Sequence, residues 1–317
     1  AADRALVLLG RAAGADADDR WAARSAARRL LALGVAAVGG GALQPTVGGA
    51  DPVRIRVLGR FEVFIGALPV PLPAWRSRQA RTLLKILVAR RGRPVPRAEL
   101  CELLWPDDEP QRTAHRLSVL LSVVRGVLDP RRVWPADHYI GADLAGVALD
   151  VTRLAVDLEE LLRDAAHGIR LARDGVASQA RELLMEVDAA YGGDAFDDEP
   201  YADWADAPRE QARAVWLAVL RELAGLSRAV PDADHAATCL VRLLGADPFD
   251  ERAHRVLVDV LVAAGRHGEA RRAFQRWTDA MRSIDAPPPD PAVLRRRAAT
   301  GLVAAGRGSG PGRRAGH

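Results

Sequence analysis

The sequence predicts a mainly α-helical protein with a small β component. Hydrophobic residues alternate with a period of two only in residues 53–66 and 138–151, which is the spacing of a half-buried strand. Most other hydrophobic residues recur at the spacing of one helix face. Residues 39–52 are rich in glycine and proline, which is typical of a flexible linker.

Length and composition limit the class of protein. The chain has 317 residues, 49% of them hydrophobic, so two domains can each bury a core. No apolar run of about eighteen residues is free of charge, and no signal peptide is visible. We therefore expect a cytoplasmic protein without a membrane span, in which Cys101 and Cys239 are buried, reduced thiols. The chain opens at Ala1 inside a helical pattern, which indicates part of a longer protein.

Charge is unevenly distributed along the chain. Residues 63–98 contain no acid and eight basic residues, whereas residues 137–210 contain eighteen acids and six arginines. The basic residues of the first stretch are Arg76, Arg78, Arg81, Lys85, Arg90, Arg91, Arg93 and Arg97. This asymmetry predicts one region that attracts polyanions and another that repels them.

Residues 53–151 show the element order of a winged helix-turn-helix domain. Two strands flank a turn at Gly59 and Arg60, and residues 69–73, with three prolines, can form only an edge strand. Three helices and a strand hairpin follow, at residues 77–91, 96–105, 110–129 and 138–151. Ser77 is the expected N-cap of the first of these helices.

The third helix has two unlike faces, and its outer face is the candidate for reading DNA bases. Its hydrophobic residues, centred on Leu117 and Leu128, predict the buried side. The base-reading candidates within helix 111–126 are Arg112, His115, Arg116, Val119 and Ser122. Arginine can bind guanine in the major groove, and valine can contact a thymine methyl. The alternative is a solvated helix face that carries one misplaced valine.

A second set of residues consists of candidates for binding DNA phosphates. Several lie at the start of the first helix, where free backbone N–H groups add to the attraction for an anion. Two arginines precede the hairpin, and one serine flanks the reading face. The phosphate candidates are Arg76, Ser77, Arg78, Arg81, Ser118, Arg131 and Arg132. The alternative for each is a residue that only keeps the surface soluble.

The region 152–286 reads as a series of helices. Its clearest unit, residues 246–281, has the pattern of a tetratricopeptide-type (TPR) hairpin, with small residues Ala270 and Ala273 where two helices would approach closely. We expect Asp247 to cap the first helix of this unit and Pro248 to occupy its first position.

No pattern of residues predicts an enzyme. The chain lacks a nucleophile elbow, a cluster of zinc ligands and a dinucleotide fingerprint, so we expect neither a cofactor nor a metal. The acidic run at residues 197–200 lacks the spacing of a calcium loop, and we interpret it as a solvated loop. His254 and His267 are expected to lie at helix ends rather than to bind metal.

Five blocks of sequence, in this order, resemble one family of bacterial regulators. The blocks are VRIRVLGRFEVFIG, SRQARTLLKILVARRGRPVPRAELCELLWPDD, HRLSVLLSVVRGVLDP, YGGDAFDDEPYADWADAPREQ and DPFDERAHRVLVDVLVAAGRHGEARRAFQRW. They are similar to the actinobacterial SARP-type regulators, which join an OmpR-like winged helix to a bacterial transcriptional activator domain (BTAD). The resemblance spans about residues 53–285 and implies sequence-specific binding to double-stranded DNA, contacts with RNA polymerase and a homodimer on repeated half-sites.

The resemblance also divides the chain into segments. They are the end of an upstream helical repeat region (1–38), a linker (39–52), the winged helix (53–151), a TPR-like BTAD (152–286) and a disordered basic tail (287–317). We expect a transcriptional activator, located in the cytoplasm at the nucleoid, that forms the C-terminal part of a larger regulator. Two alternatives stay open at this point. The winged helix could be a protein-docking module that no longer binds DNA, or the chain could bind nucleic acid without sequence preference.

Overall fold

The computed structural model describes residues 52–229 and 232–295. These residues divide into two compact units, which are described separately: the first comprises 52–171 and 182–216, the second 172–181 and 217–295. The predicted fold class is confirmed, because helices dominate and the strands are short. No described helix is long and apolar enough to cross a membrane. The predicted segments 1–38 and 39–52 lie outside the described residues, apart from Pro52.

The first unit contains a four-stranded sheet. Its strands are β1 (Val53–Arg56), β2 (Glu62–Ile65), β3 (Leu68–Pro69) and β6 (Ala155–Val156), in the order β3-β2-β1-β6. β1 pairs antiparallel with β2 and parallel with β6. β3 is an edge strand that pairs with β2 alone, but it includes only Pro69 of the predicted segment 69–73. Leu72–Trp75 form a short 3-10 helix instead.

Three helices and a two-stranded hairpin complete the winged helix. They are α1 (Arg78–Ala89), α2 (Arg97–Leu104), α3 (Pro110–Leu128), β4 (Ile140–Ala142) and β5 (Val147–Leu149). Ser77 caps α1 as predicted, since its hydroxyl accepts a hydrogen bond from the backbone N–H of Gln79. The element order expected from the sequence is therefore present in full.

The hairpin β4–β5, which we call the wing, is anchored at Gly146. Val147 and Val95 exchange two backbone hydrogen bonds of 2.9 Å. Gly146 has a φ of +143°, and a Cβ there would lie 2.3 Å from the carbonyl oxygen of Val95. Only glycine fits this approach, so the turn end of the wing is fixed against the segment that precedes α2.

Helices α4 (Asp157–Arg173), α5 (Ala177–Ala190) and α6 (Asp203–Ala229) follow the winged helix. The loop 192–199 before α6 packs against the turn between β1 and β2, where Phe196 is fully buried and donates its backbone N–H to Val57. The carboxylate of Asp157 accepts hydrogen bonds from the backbone N–H groups of Val57 and Leu58. The first unit thus extends beyond the predicted limit at residue 151, and the limits of the winged helix and the BTAD stay predictions.

The loop at residues 197–200 is not simply solvated, as we had interpreted it. Asp198 and Glu199 accept hydrogen bonds of 2.6 and 2.8 Å from the ammonium group of Lys85 on α1. Lys85, the only lysine of the chain, is 3% exposed, and its Nζ lies 5.2 Å from the centroid of the Phe61 ring. A buried ammonium group requires such partners, so the acidic run completes the core of this unit.

The second unit is helical. It includes α7 (Ala233–Ala246), α8 (Glu251–Ala263), α9 (His267–Ser283) and a short 3-10 helix (Pro291–Arg295). Helices α8 and α9 form the predicted TPR-like hairpin, with Ala270, Ala273 and Trp277 of α9 buried. Val293 is also buried, so this part of the predicted tail is ordered.

Two predictions about the ends of these helices were wrong. The N-cap of α8 is Asp250 rather than Asp247, and its carboxylate accepts the backbone N–H of Ala253. Pro248 therefore lies before the helix and not at its first position. Two aspartates three residues apart can both cap a helix, and here α8 begins after the second. His254 does lie at a helix end as expected, in the first turn of α8, where it is buried and its Nε2 lies 2.9 Å from the carbonyl oxygen of Pro248.

Candidate nucleic-acid interface

Helix α3 presents an open outer row of side chains. Arg112, His115, Val119, Ser122 and Gly126 are all exposed. Val119 is exposed to 50%, and nothing lies within 4 Å of a Cβ placed on Gly126. The row is not covered by any described part of the chain, so it is free to meet a ligand.

The opposite side of α3 is firmly packed. Leu117, Val124 and Leu128 are at most 1% exposed, and the helix contacts both α1 and α2. Thr113 is buried on the same side, although the sequence offers no hydrophobic signal at that position. This packing fixes the rotation of α3 about its axis, and therefore the direction of the outer row.

Arg112 and Arg116, near the start of α3, make different contacts. Arg112 is 81% exposed, and its nearest carboxylate oxygen, on Glu109, lies 3.7 Å from its Nε. Arg116 donates to the carboxylate of Asp108, and its guanidinium carbon lies 4.5 Å from the centroid of the Trp105 ring. Arg112 is therefore available for binding, while Arg116 has to leave two internal contacts first.

Ser118 forms part of a small polar cluster beside the row. Its hydroxyl accepts a hydrogen bond of 2.9 Å from Arg97 at the start of α2, and donates to the carbonyl oxygen of Ala114. In the sequence, Arg97 is only one of the eight basic residues of the acid-free stretch. The contact brings its guanidinium to the edge of the reading face, a position that depends on how α2 packs on α3.

The phosphate candidates at the start of α1 also differ from one another. Arg76 and Arg78 are exposed, whereas the hydroxyl of Ser77 is used in capping α1. Arg81 donates to the carbonyl oxygen of Phe61 at 3.4 Å, and its guanidinium lies over the Phe61 ring. The structure thus leaves Arg76 and Arg78 pointing to solvent and engages Ser77 and Arg81 within the fold.

Three of the eight basic residues in the acid-free stretch are paired inside the first unit. Besides Lys85, Arg90 pairs with Glu99 at 2.5 Å and Arg91 pairs with Glu159 at 2.5 Å. The hydrogen bond to Glu159 raises the pKa of Arg91 above its usual value. The segregation of charge is therefore weaker in the folded chain than along the sequence.

Residues 133–152, which include the wing, contain three aspartates and no arginine or lysine at positions 134–151. The tip residue of the wing, Leu144, is fully exposed. Arg131 and Arg132 lie exposed before the wing, and Arg125 of α3 donates to the carbonyl oxygen of Ile140 at 2.9 Å. Basic side chains thus lie at the root of the wing rather than at its tip.

An aromatic stack lies at the start of the wing. The rings of Trp134 and His138 are parallel, with centroids 4.3 Å apart. Arg153 donates to Nδ1 of His138 at 2.7 Å. Burial lowers the pKa of His138, and the positive charge of Arg153 lowers it further. A neutral ring at physiological pH suits this stack, and Tyr139 beside it is buried.

The described residues offer no alternative centre of chemistry. They contain no group of three or more His, Cys, Asp or Glu side chains arranged to hold a metal ion. Both cysteines are free; Cys239 is buried, while Cys101 is only half-buried, which differs from our expectation. The outer row of α3 with its neighbouring arginines is therefore the candidate site.

Comparison with known proteins identifies the helical region that follows the winged helix. The family described as bacterial transcriptional activator domain matches residues 156–297. The regulatory protein AfsR of Streptomyces coelicolor is 31% identical over 218 residues, which are 64% of this chain and 21% of that protein. This chain therefore spans about a fifth of the length of that relative.

A solved structure shows the same fold. It is EmbR of Mycobacterium tuberculosis in complex with a low affinity phosphopeptide, with a TM-score of 0.66 and 21% sequence identity. The likeness covers 77% of this chain and 63% of EmbR. The likeness to EmbR shows a shared fold, and the activator-domain match and the identity to AfsR agree with the resemblance of the sequence to the SARP-type regulators.

Proposed function

We propose that the protein is a sequence-specific DNA-binding regulator that activates transcription and reads the major groove with residues 111–126 of α3. The observation that carries the proposal is the open outer row on a helix whose other side is fully packed. A recognition helix needs this combination, because base edges are read only by side chains whose direction is fixed.

The proposed roles follow from the chemistry of each side chain. Arg112 would bind a guanine through its two terminal nitrogens, and Val119 would contact a thymine methyl. His115 and Ser122 would bond to base edges, and Arg116 would join them once it leaves Asp108. The bare surface at Gly126 lets the groove approach the helix closely.

Phosphate binding would position α3 in the groove. Arg76, Arg78, Arg131 and Arg132 are suited to it by their exposure. Ser118 would act together with Arg97, to which it is hydrogen-bonded. Ser77 would contribute through the start of α1 rather than through its hydroxyl, and Arg81 would first have to leave Phe61.

The helical BTAD is proposed to contact RNA polymerase, and the protein to act as a homodimer on repeated half-sites in the cytoplasm at the nucleoid. The excess of acids in residues 137–210 supports a role in binding protein rather than DNA. These assignments extend the resemblance to the family.

A salt titration with selected duplexes tests the proposal. Binding sites are first selected from random duplexes, and affinity for the selected and for scrambled duplexes is then measured against salt concentration. Contact with about five to eight phosphates predicts a log–log slope of roughly −4 to −7, together with a preference for the selected duplex that persists at each salt concentration. Equal affinity for all duplexes would support a nonspecific binder.

A second candidate function is supported by the exposed Val119 in the outer row. A valine open to solvent also suits a protein-docking surface, in which case the winged helix would have lost DNA binding. Failure to bind any duplex at low salt, by a chain that unfolds cooperatively, would favour this second function.

A further inference from the structure

An apolar groove lies between the end of strand β2 and the turn that follows α3. It is lined by the buried Leu128 and Tyr139 and by the more exposed Ile65, Val133 and Trp134. Val133 is exposed to 44% and Trp134 to 38%. Large apolar side chains that lie together at the surface mark a place where another element binds.

Strand β3 extends this apolar surface. Leu68 is the register partner of Ile65, so the two side chains lie on the same face of the sheet. Leu68 is 74% exposed, and a side chain so open contributes little to the fold. The groove together with Leu68 is called the β2 groove below.

The shape of the β2 groove is fixed without a ligand. The carboxylate of Asp129 accepts hydrogen bonds of 3.0 and 2.8 Å from the backbone N–H groups of Val133 and Trp134. The ring of Trp134 is stacked on His138, with centroids 4.3 Å apart. A surface that is ordered in advance loses little entropy when a partner docks on it.

The chain enters the first unit at the rim of this groove. Val53 is paired with Ile65, and the carbonyl oxygen of Pro52 accepts the backbone N–H of Gly66 at 2.9 Å. The preceding segment, outside the described residues, is joined here through the linker 39–52. A flexible linker of 14 residues has a root-mean-square length of about 20 Å. It therefore keeps the segment before it at an effective concentration in the millimolar range.

The sequence of residues 23–37 suits an apolar groove. Its apolar side chains at positions i, i+3, i+7, i+10 and i+14 predict a helix with one apolar face. They are Ala23, Ala26, Leu30, Leu33 and Ala37. Arg24 and Arg28 fall on the other side of this predicted helix. Anchors at this spacing are those with which an amphipathic helix binds a groove.

We propose that residues 23–37 dock as a helix in the β2 groove and thereby keep Arg131 from contacting DNA. Arg131, a candidate for binding phosphate, lines the same groove. The effect on DNA rests on the proposed DNA-binding function, whereas the docking does not. Because DNA can use Arg131 only after the segment has left, docking weakens binding to all duplexes alike.

The expected size of the effect follows from the docked fraction. At an effective concentration of about 1 mM, a contact with a dissociation constant of about 0.2 mM is docked in roughly four molecules of five. The undocked fraction, about one fifth, then lowers the apparent affinity for a duplex about fivefold.

Docking is tested in the full chain without DNA, by fluorine NMR of protein labelled with 5-fluorotryptophan. The chain has seven tryptophans, and Trp134→Phe identifies the resonance of Trp134. Broadening by a soluble gadolinium chelate measures how open that ring is to solvent. We expect Trp134 to be protected in the wild type and to become exposed in Leu30→Asp and in Leu68→Asp.

Each of these two variants has a matched control. Ala32→Asp places the same charge on the opposite side of the predicted helix, and Leu144→Asp places it at the tip of the wing, so both should keep Trp134 protected. Equal broadening in the wild type and in Leu30→Asp would show that the segment does not fill the groove. Protection that rises with protein concentration would show that a second copy fills it. Either result overturns the proposal.

The effect on DNA is measured with selected and scrambled duplexes. We expect Leu30→Asp to bind both about fivefold more tightly than the wild type, and Ala32→Asp to bind them as the wild type does. Equal affinities of the two variants, with Trp134 exposed only in the first, would overturn the claim about Arg131. If no variant binds any duplex, the proposed DNA-binding function fails and that claim with it, while the fluorine measurement still decides the docking.

Discussion

Two basic residues of the first unit, Lys85 on α1 and Arg112 on α3, lie in opposite environments. Lys85 of α1 is buried and paired with Asp198 and Glu199, whereas Arg112 of α3 is 81% exposed and only loosely paired. Both are cations on helices of the same domain. A basic residue can therefore either form a buried ion pair or stay exposed for binding. Which of the two occurs depends on whether a distant segment of the chain places a carboxylate beside it.

The largest effect on stability is expected when the buried ion pairs of Lys85 are removed. Lys85→Ala leaves two carboxylates without their cation and opens space beside Phe61. We expect the free energy of unfolding to fall by about 3 kcal/mol, at the low end for a buried ion pair because Asp198 is partly exposed. Urea denaturation measures it. Arg78→Ala, an exposed change on the same helix, is the control and should leave stability unchanged within about 0.5 kcal/mol. Equal stability of the two variants would contradict the buried role of Lys85.

The role of the exposed Arg112 is tested by measuring DNA binding. Arg112→Ala is expected to cost about 1–3 kcal/mol of affinity for a selected duplex and to relax the preference at one base pair, without loss of stability. Arg78→Ala should instead weaken binding to all sequences alike. Competition binding with duplexes that carry single base changes distinguishes the two. Unchanged affinity and preference in Arg112→Ala would mean that the reading face is assigned wrongly.

The stability of the first unit is expected to depend on pH through the buried carboxyl group of Asp157. Burial raises the pKa of Asp157 to about 6, against the opposing hydrogen bonds from Leu58 and Val57. Because the folded protein binds this proton more readily than the unfolded chain, the group adds stability as pH falls from about 7 to 5. We expect wild type to gain about 1–2 kcal/mol relative to Asp157→Asn over that range, measured by urea denaturation at each pH. A constant difference would contradict the raised pKa.

The smallest effect on stability is expected at Gly126. The position is helical and open, so Gly126→Ala should stabilise the first unit by about 0.5–1 kcal/mol. If the groove approaches α3 here, the same change weakens binding to the selected duplex. Thermal unfolding and duplex binding measured on one preparation reveal both effects. A gain in stability without any loss of affinity would place Gly126 outside the interface.

The secondary structure near the reading face was largely predictable from local pattern. The third helix, expected at 110–129, spans Pro110–Leu128, because its hydrophobic period and the proline at its start act within a few residues. The acidic run at 197–200 was misinterpreted for the opposite reason. Its partner Lys85 lies 113 residues from Asp198, and no local pattern connects the two.

The candidate site was predictable only in part. Which residues lie on the outer side of α3 follows from helical geometry, and these residues are exposed in the structure. Helical geometry does not show which candidate side chains are already engaged in contacts within the fold. Arg116 is held by Asp108 and Trp105, Ser118 is bonded to Arg97, and Arg81 is bonded to Phe61. Each of these contacts depends on how one element packs against another.

Local sequence pattern is enough to predict the helices, the short strands, the two-faced third helix and the resemblance to a known family. These properties depend on neighbouring residues, whose spacing sets which side chains share a face. Which charges stay open to solvent and which are neutralised inside the fold depends on how distant segments pack together. A buried ammonium or carboxyl group must find its partner in space, and that partner can come from anywhere along the chain.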